Sequence, residues 1–308
     1  GGFPVCRQVT HLGLSTVTVD EMKHRTIMTS NPLGRTTTVE EDTGTGAPGD
    51  LWTAYATTTY RYDALGKLTG VTDALGNVTS MTYDLLGRKT SMNDPDMGAW
   101  SYAYNAAGSL TSQTDALAIT TTLGYDALQR LAVKTYTNGD PPVSFLYDSY
   151  PDAALCPQGV TATGMMTRMT DGSGQQYGCF DVRGRSVKTR RTVDGVNYDM
   201  SSTYDALDQP VEVTYPDGEV VRNTTDAQGQ LGEVSSATYL QIFASGIQYK
   251  PTHQVESFWL GSGQQTSYTY DYRARLTNIT TGTAQNTTLT YDDASNVTST
   301  TDSTGTPE

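Results

Sequence analysis

A Tyr-Asp dipeptide recurs along this chain at a fixed step. It occupies residues 62–63, 83–84 and 125–126, with Tyr-Asn at 104–105, so successive copies are 21 residues apart (83 − 62, 104 − 83, 125 − 104). A fixed period of roughly 20–50 residues is typical of one supersecondary unit stacked many times, so it constrains the architecture before any local pattern does. The residues that we assign to this structural repeat are Tyr62, Asp63, Gly66, Tyr83, Asp84, Gly87, Arg88, Tyr104, Tyr125, Asp126, Tyr204, Asp205, Tyr270, Asp271, Tyr291 and Asp292.

Each repeat has the pattern of a pair of short strands. Two turn signals of sequence Asp-Ala-Leu-Gly lie at 63–66 and 73–76. The Asp carboxylate can accept hydrogen bonds from backbone N–H groups that follow it, and Gly readily adopts a positive φ. The segments between the turns are rich in Thr, Val and Tyr, which is typical of strands. The sequence therefore predicts an all-β fold of antiparallel strands, each about five to seven residues long. The turns are predicted at Gly66, Gly76, Gly87 and Gly108.

The composition favours a thin sheet over a thick core. Hydrophobic residues make up 36% of the chain, and there are 20 Tyr against 5 Phe. Counting the 30 Gly instead of the 20 Tyr raises that fraction only to about 39%, against roughly 45–50% in globular chains. Tyr suits a thin sheet because its ring packs on Thr and Val, while its hydroxyl reaches water or a backbone carbonyl.

The charge balance argues against several partners. Lys and Arg number 20 against 33 Asp and Glu, so the net charge is −13. Nucleic-acid binding requires a basic surface, so we expect no nucleic-acid partner. The acidity keeps the chain soluble, or alternatively favours a basic partner. No apolar run approaches the ~20 residues of a membrane span, and the first ten residues carry no secretion signal. The repeat is already present at 31–35 and still present at 301–305, which we interpret as a segment of a longer protein.

Three Cys residues leave two alternatives open. Cys156 and Cys179 bracket the most irregular stretch of the chain, where a disulfide would hold a loop in place and would imply an oxidising compartment. The alternative is two free thiols. No Cys-x-x-Cys pattern is present and the His residues are scattered, so we expect neither a zinc site nor any cofactor. The three His residues are His11, His24 and His253.

Three intervals interrupt the period. Residues 40–56 have the composition of a surface loop. Residues 138–178 lose the step and contain Pro141-Pro142. Residues 238–263 are the most apolar, and we interpret them as core strands, with a plug or cap against the sheet as the alternative.

The repeats resemble those of a known family. Residues 62–69, 72–79 and 83–88 look like the YD repeats of the Rhs family, and 180–185 and 270–277 resemble degenerate copies. That family includes bacterial polymorphic toxins, shell subunits of insecticidal toxin complexes, wall-associated proteins and teneurins. The resemblance implies that residues 1–308 are a single segment of a β-sheet wound into a hollow, spiralling shell. It also implies an exported, secreted or cell-surface bacterial protein whose shell encloses a C-terminal effector of the same polypeptide.

The resemblance does not extend to the family's catalytic segment. The closing segment with its aspartyl self-cleavage centre is not found in this sequence. The Asp-Pro pairs at 94–95 and 140–141 lie among ordinary repeats, and no His neighbours a Ser or Cys in a nucleophile motif. We therefore expect no catalytic residue and a structural scaffold rather than an enzyme. The alternative is a cell-surface adhesin module that binds carbohydrate or a partner protein; an autoprocessing enzyme is poorly supported.

Overall fold

Short antiparallel strands make up the protein. The computed structural model describes residues 7–44, 51–150, 153–157 and 159–304. These residues form 27 strands and one short 3₁₀ turn, Ala153–Leu155. The all-β fold predicted from the repeat is therefore confirmed. No helix in this described part of the chain has the length and apolar character needed to cross a membrane.

The chain divides into two compact units. The first consists of residues 1–129, 135–140 and 291–296, and the second of residues 130–134, 141–290 and 297–308, as far as each is described. That the chain is a single shell segment stays a prediction.

The strands of residues 7–129 are β1 (Gln8–Leu12), β2 (Ser15–Val19), β3 (Arg25–Ser30), β4 (Thr36–Thr43), β5 (Thr53–Tyr62), β6 (Leu68–Thr72), β7 (Val78–Tyr83), β8 (Lys89–Asp94), β9 (Gly98–Tyr104), β10 (Leu110–Thr114) and β11 (Thr120–Tyr125).

In the first unit, β1 to β11 form a meander in which each strand pairs antiparallel with the next. The pairing register shifts by a bulge where a strand meets the repeat Tyr, as at Tyr62 and Tyr83. Such a bulge bends the strand and increases its twist locally.

The remaining strands are β12 (Leu131–Tyr136), β13 (Val143–Tyr147), β14 (Val160–Thr161), β15 (Met166–Asp171), β16 (Gly174–Asp181), β17 (Ser186–Val193), β18 (Val196–Tyr204), β19 (Pro210–Thr214), β20 (Val220–Thr225), β21 (Leu231–Ser236), β22 (Gln241–Tyr249), β23 (Val255–Leu260), β24 (Gln265–Tyr270), β25 (Leu276–Thr281), β26 (Gln285–Tyr291) and β27 (Val297–Asp302). In the second unit the meander has one departure. Strand β13 pairs with β15, and the two-residue β14 pairs with β16 instead.

The Asp-x-x-Gly turn explains why the strands end where they do. The Asp84 carboxylate accepts hydrogen bonds from the N–H groups of Leu86 (3.0 Å) and Arg88 (2.9 Å). The N–H of Gly87 donates to the Asp84 carbonyl at 2.9 Å, and Gly87 has a φ of 75°. The left-handed conformation favours Gly, so the sequence closes the turn at this position. Gly66, Gly76 and Gly108 also have positive φ, at 86°, 84° and 90°.

The fold has almost no enclosed core. Among the apolar residues described, only Cys179 and Ile247 are buried. In β9 the half-buried Trp100 and Tyr102 alternate with the exposed Ala99 and Ser101. In β9, side chains therefore pack mainly along one face, against their neighbours in adjacent strands, as expected of a thin sheet.

The interval 40–56, interpreted from composition as a surface loop, is strand at both ends. Strands β4 and β5 pair there, with Glu41 opposite Ala56 and Thr43 opposite Thr53. Pairing to a neighbour overrides the low strand propensity of acidic residues. The buried Asp42 carboxylate also accepts a hydrogen bond from Arg25 Nε at 2.5 Å. Residues 45–50 of that interval lie outside the described residues.

The other two interruptions also contain strands. Residues 138–178 contain β13, β14, β15 and most of β16, and residues 238–263 contain β22 and β23. Only part of the apolar stretch is core. Ile247 is buried, whereas Ile242 and Trp259 remain exposed.

Candidate functional site: the repeated Tyr-Asp turn

The hydroxyl of the repeat Tyr has one recurring acceptor. It donates to the carbonyl of the first residue of an earlier strand, the one that begins after the turn of the preceding repeat. Tyr83 donates to Leu68, the first residue of β6, at 2.8 Å. The described residues show the same bond in the pairs Tyr104–Lys89 (2.9 Å), Tyr125–Leu110 (2.7 Å), Tyr147–Leu131 (3.0 Å), Tyr204–Ser186 (2.8 Å), Tyr249–Leu231 (3.0 Å) and Tyr270–Val255 (2.8 Å).

An Arg at the end of the turn links one repeat to the next. Arg88 Nε donates to the Asp84 carboxylate at 2.7 Å, and Arg88 Nη1 donates to the Asn105 carbonyl at 3.0 Å. Its guanidinium also lies 4.8 Å from the ring centroid of Tyr104. Hydrogen bonds and a cation–π contact thus meet at one side chain, a combination that suits the planar guanidinium better than a lysine.

The second unit repeats this geometry. Arg185 Nε donates to Asp181 at 2.7 Å, Arg185 Nη1 donates to the Asp205 carbonyl at 3.0 Å, and the guanidinium lies 4.8 Å from the Tyr204 ring. Arg275 likewise donates to Asp271 at 2.7 Å. The turn is therefore one structural device, used in both units.

The electrostatics of the turn fit a structural role. Hydrogen bonds from the Arg88 backbone and guanidinium hold the pKa of the Asp84 carboxyl below its ordinary value, against burial. Burial raises the pKa of the Tyr104 hydroxyl, and the Arg88 charge only partly opposes it. A general acid or base works with a pKa near the operating pH. The pKa of Asp84 is shifted further below neutral pH and the pKa of Tyr104 further above it. The two shifts therefore stabilise the ionised Asp84 carboxylate and the neutral Tyr104 hydroxyl.

The structure joins Cys156 and Cys179 in a disulfide, with Cα atoms 5.6 Å apart. The bond ties the segment around the 3₁₀ turn to β16, next to the short β14. Close by, the fully buried Thr167 hydroxyl donates to the Ser149 carbonyl at 2.5 Å, and the Phe180 N–H donates to the Tyr150 hydroxyl at 3.1 Å.

The Asp94-Pro95 pair lies where β8 ends and a turn begins, and Asp140-Pro141 lies between the turn at 137–138 and β13. The Asp94 carboxylate accepts hydrogen bonds from the Thr79 hydroxyl (2.6 Å) and from the N–H of Met97 (3.0 Å). The Asp140 carboxylate accepts one from the Asn138 amide at 2.7 Å. Across the described ranges, no group of three or more His, Cys, Asp or Glu side chains is arranged to hold a metal ion.

The Arg–Tyr contact between successive repeats was not predicted from the sequence. A signal for it exists, because the Gly-Arg ending at Arg88 precedes a repeat Tyr by 16 residues (104 − 88) and the one at Arg185 by 19 (204 − 185). The spacing alone does not show that the two side chains meet, since that depends on the strand register.

Fold and turn together define an antiparallel β-repeat scaffold whose units are linked through Tyr, Asp and Arg. The family model described as RHS Repeat matches residues 56–77, 62–96 and 104–141. These residues therefore match RHS repeats, and the resemblance of the chain to the Rhs, or YD-repeat, family is confirmed. No curated protein sequence matches the chain.

Solved toxin-complex structures have the same fold. The crystal structure of TcdB2-TccC3-Cdc42 is similar with a TM-score of 0.80 at 18% identity. TcdB2-TccC3 without its hypervariable C-terminal region gives 0.79 at 17%, and a Photorhabdus luminescens Tc holotoxin pore with a mutated TccC3 gives 0.77 at 17%. Each match covers 96% of this chain and 17% of the other, so this chain spans about a sixth of the length of these relatives.

Proposed function

We propose that this chain is part of an Rhs-type β-shell that encloses and protects a C-terminal effector or toxin domain of the same polypeptide. The observation that carries the proposal is that the repeated side chains bond to one another. The Tyr83 hydroxyl, the Asp84 carboxylate and the Arg88 guanidinium each have partners within the repeats. A shell requires residues that recur in order to hold its strands together. These three side chains are used in that way, so they support a structural role rather than a catalytic one.

The solved relatives support the same proposal. One of them is described as TcdB2-TccC3 without its hypervariable C-terminal region, and the C-terminal position is where the proposed effector would lie. A toxin of this kind acts outside the cell that makes it, so we place the intact protein among exported, secreted or cell-surface bacterial proteins. The remainder of the polypeptide, including the enclosed effector, is then the principal partner of this segment.

A substitution that destabilises the proposed β-shell tests the proposal. We expect Tyr83→Ala, made in the full-length gene product, to increase the rate at which protease cleaves the C-terminal region. The change removes a half-buried ring and its bond to Leu68, while leaving the rest of the chain in place. Removing a fully buried aromatic ring costs about 3–5 kcal/mol, and less where the ring is half exposed.

The matched control is Tyr272→Ala, because Tyr272 is a highly exposed turn residue of the second unit. This control should leave the C-terminal region as protected as in the unmodified protein. Equal cleavage of the C-terminal region in the unmodified protein and in Tyr83→Ala would contradict the shell.

An adhesin that binds carbohydrate or a partner protein is the second candidate. It is favoured by aromatic side chains that the second unit leaves exposed, including Tyr239, Trp259 and Tyr272. Exposed aromatic rings are typical of binding surfaces. Binding of the isolated chain to a glycan array, lost in Trp259→Ala, would support the adhesin in place of the shell.

A further inference from the structure

The sequence contains one Asn-Gly pair, at residues 138–139. It lies in the connection that follows β12, and residues 137–140 are all exposed. Gly139 has a φ of 87°, and a Cβ added to it would meet no atom within 4 Å. The residue that follows Asn138 therefore has no side chain, and open space lies beside its backbone.

Both polar atoms of the Asn138 side chain bond to the residue beyond Gly139. The Asn138 Nδ2 donates to the Asp140 carboxylate at 2.7 Å, and the Asn138 Oδ1 accepts from the Asp140 N–H at 3.2 Å. In such an Asx turn the side chain folds along the backbone that follows it. The Asn138 Cγ is therefore held on the same side of the chain as the Gly139 nitrogen, the atom with which it can close a five-membered ring.

Ring closure at this position is a balanced reaction. The Gly139 nitrogen forms a bond to the Asn138 Cγ and gives up its proton, while the Cγ–Nδ2 bond breaks and Nδ2 leaves as ammonia. Water then opens the succinimide, at Cγ to give Asp or at the backbone carbonyl to give isoaspartate. The Asp140 N–H already bonds to Oδ1, the atom on which negative charge develops during the attack.

We propose that Asn138 is a site of spontaneous deamidation, for which the turn supplies the geometry and water is the only co-reactant. The product places a second carboxylate beside Asp140, where Nδ2 donated a hydrogen bond before. Isoaspartate also lengthens the backbone by one carbon. The turn stays attached to β11, because the Thr120 N–H donates to the Thr137 hydroxyl at 2.8 Å. The modification therefore acts on the exposed end of the turn, at residues 138–140.

Asn31 provides an internal control for the geometry. Its Oδ1 accepts a hydrogen bond from the Leu33 N–H at 3.0 Å, the same bond to the second residue along the chain. The residue after Asn31 is Pro32, whose nitrogen carries no hydrogen and so cannot form a neutral succinimide. Asn31 and Asn138 thus share the Asx turn and differ in the nucleophile.

The test is peptide mapping by mass spectrometry of the full chain, after timed incubation in neutral and in mildly alkaline buffer. We expect residue 138 to gain about 1 Da, the change from an amide to an acid. The rate should rise with pH, because the deprotonated Gly139 nitrogen is the nucleophile. An isoaspartyl methyltransferase should label the same peptide, and Asn31 should keep its amide throughout.

Two variants separate this chemistry from nonspecific hydrolysis. Asn138→Gln keeps an amide but would need a six-membered ring, so the rate should fall by about tenfold or more. Gly139→Ala keeps Asn138 and adds a Cβ where φ is positive, so it should also slow the reaction. An unchanged circular dichroism spectrum and melting temperature verify the fold of each variant.

The role of the turn is tested by unfolding. The folded chain should deamidate at residue 138 at least as fast as the same chain in guanidinium chloride, because the turn already holds the reacting atoms together. Three results would overturn the proposal: an Asn138 that keeps its amide after prolonged alkaline incubation, an Asn138→Gln variant that reacts as fast as the parent, or a folded chain that reacts about tenfold more slowly than the unfolded chain.

Discussion

The regular run at residues 56–129 and the irregular stretch at 143–181 are stabilised in different ways. In the regular run, Tyr83, Tyr104 and Tyr125 make the same hydroxyl-to-carbonyl bond, and no apolar side chain there is buried. In the irregular stretch, the step of 21 residues is lost and strand order departs from sequence order. There the structure has a disulfide and the buried residues Thr167 and Cys179.

The difference shows what a repeat supplies. Many equivalent local contacts hold the regular run, so no single one is decisive. Where the period lapses, those contacts are fewer, and a covalent bond with buried polar hydrogen bonds takes their place. Substitutions in the irregular stretch should therefore have larger and more individual effects than equivalent substitutions in the regular run.

The largest effect should come from removing the disulfide. We expect Cys156→Ala with Cys179→Ala to lower the free energy of unfolding by about 3 kcal/mol, since the bond closes a long loop in the unfolded chain. The two residues are 23 apart in sequence. Urea unfolding measures the loss, and Cys6→Ala is the matched control. Peptide mapping without reductant should recover the 156–179 link, and two alkylatable thiols in its place would contradict the prediction.

A smaller effect should follow from removing single Tyr hydroxyls. Tyr104→Phe and Tyr125→Phe each remove one bond to a carbonyl and keep the ring, so each should cost about 1 kcal/mol. The two losses should be equal, because the geometry is the same. Tyr150→Phe should cost more, because it leaves the Phe180 N–H without this acceptor. Equal losses at all three positions, measured by urea unfolding, would remove the distinction between the two regions.

The smallest effect concerns the stability of the fold at acid pH. The pKa of the carboxyl is below its ordinary value of 3.8 at Asp84 and Asp271, so ionised Asp favours the folded state. This contribution is fully present above pH 3.8 and is lost as the pH falls through the lowered values. Asp84→Asn should flatten the decline of stability in that range, as measured by urea unfolding at a series of pH values. The double Cys→Ala variant should keep the original slope, because disulfide loss does not alter these turns.

The sequence predicts the repeated part well and the departures less well. The Asp-x-x-Gly signals and the strand composition between them were sufficient for the all-β fold, because each turn is specified within five residues. The Tyr side chain was expected to reach water or a carbonyl, but the acceptor Leu68 for Tyr83 depends on how β6 and β7 pair.

Pairing between strands also explains the features that the sequence-based predictions assigned wrongly or missed. Glu40 and Glu41 were assigned to a loop on local composition, whereas the register with β5 makes them strand. The contact between Arg88 and Tyr104 joins two turns, and its geometry is set by the strands between them. For the 138–178 interval, the loss of period was visible in the sequence, but the insertion of β14 beside β16 was not.

The reach of the Tyr-to-carbonyl bond has an evolutionary consequence. Tyr83, Tyr104 and Tyr125 each bond to a carbonyl 15 residues earlier, which is within a single 21-residue step. Duplication of one 21-residue block of the gene would add two strands, one Tyr-Asp turn and its bond, while every existing bond keeps its partner. Deletion of a block would remove the same set. Such a chain can change its length in whole repeats without redesign of the remainder, so repeat number is a property on which selection can act directly.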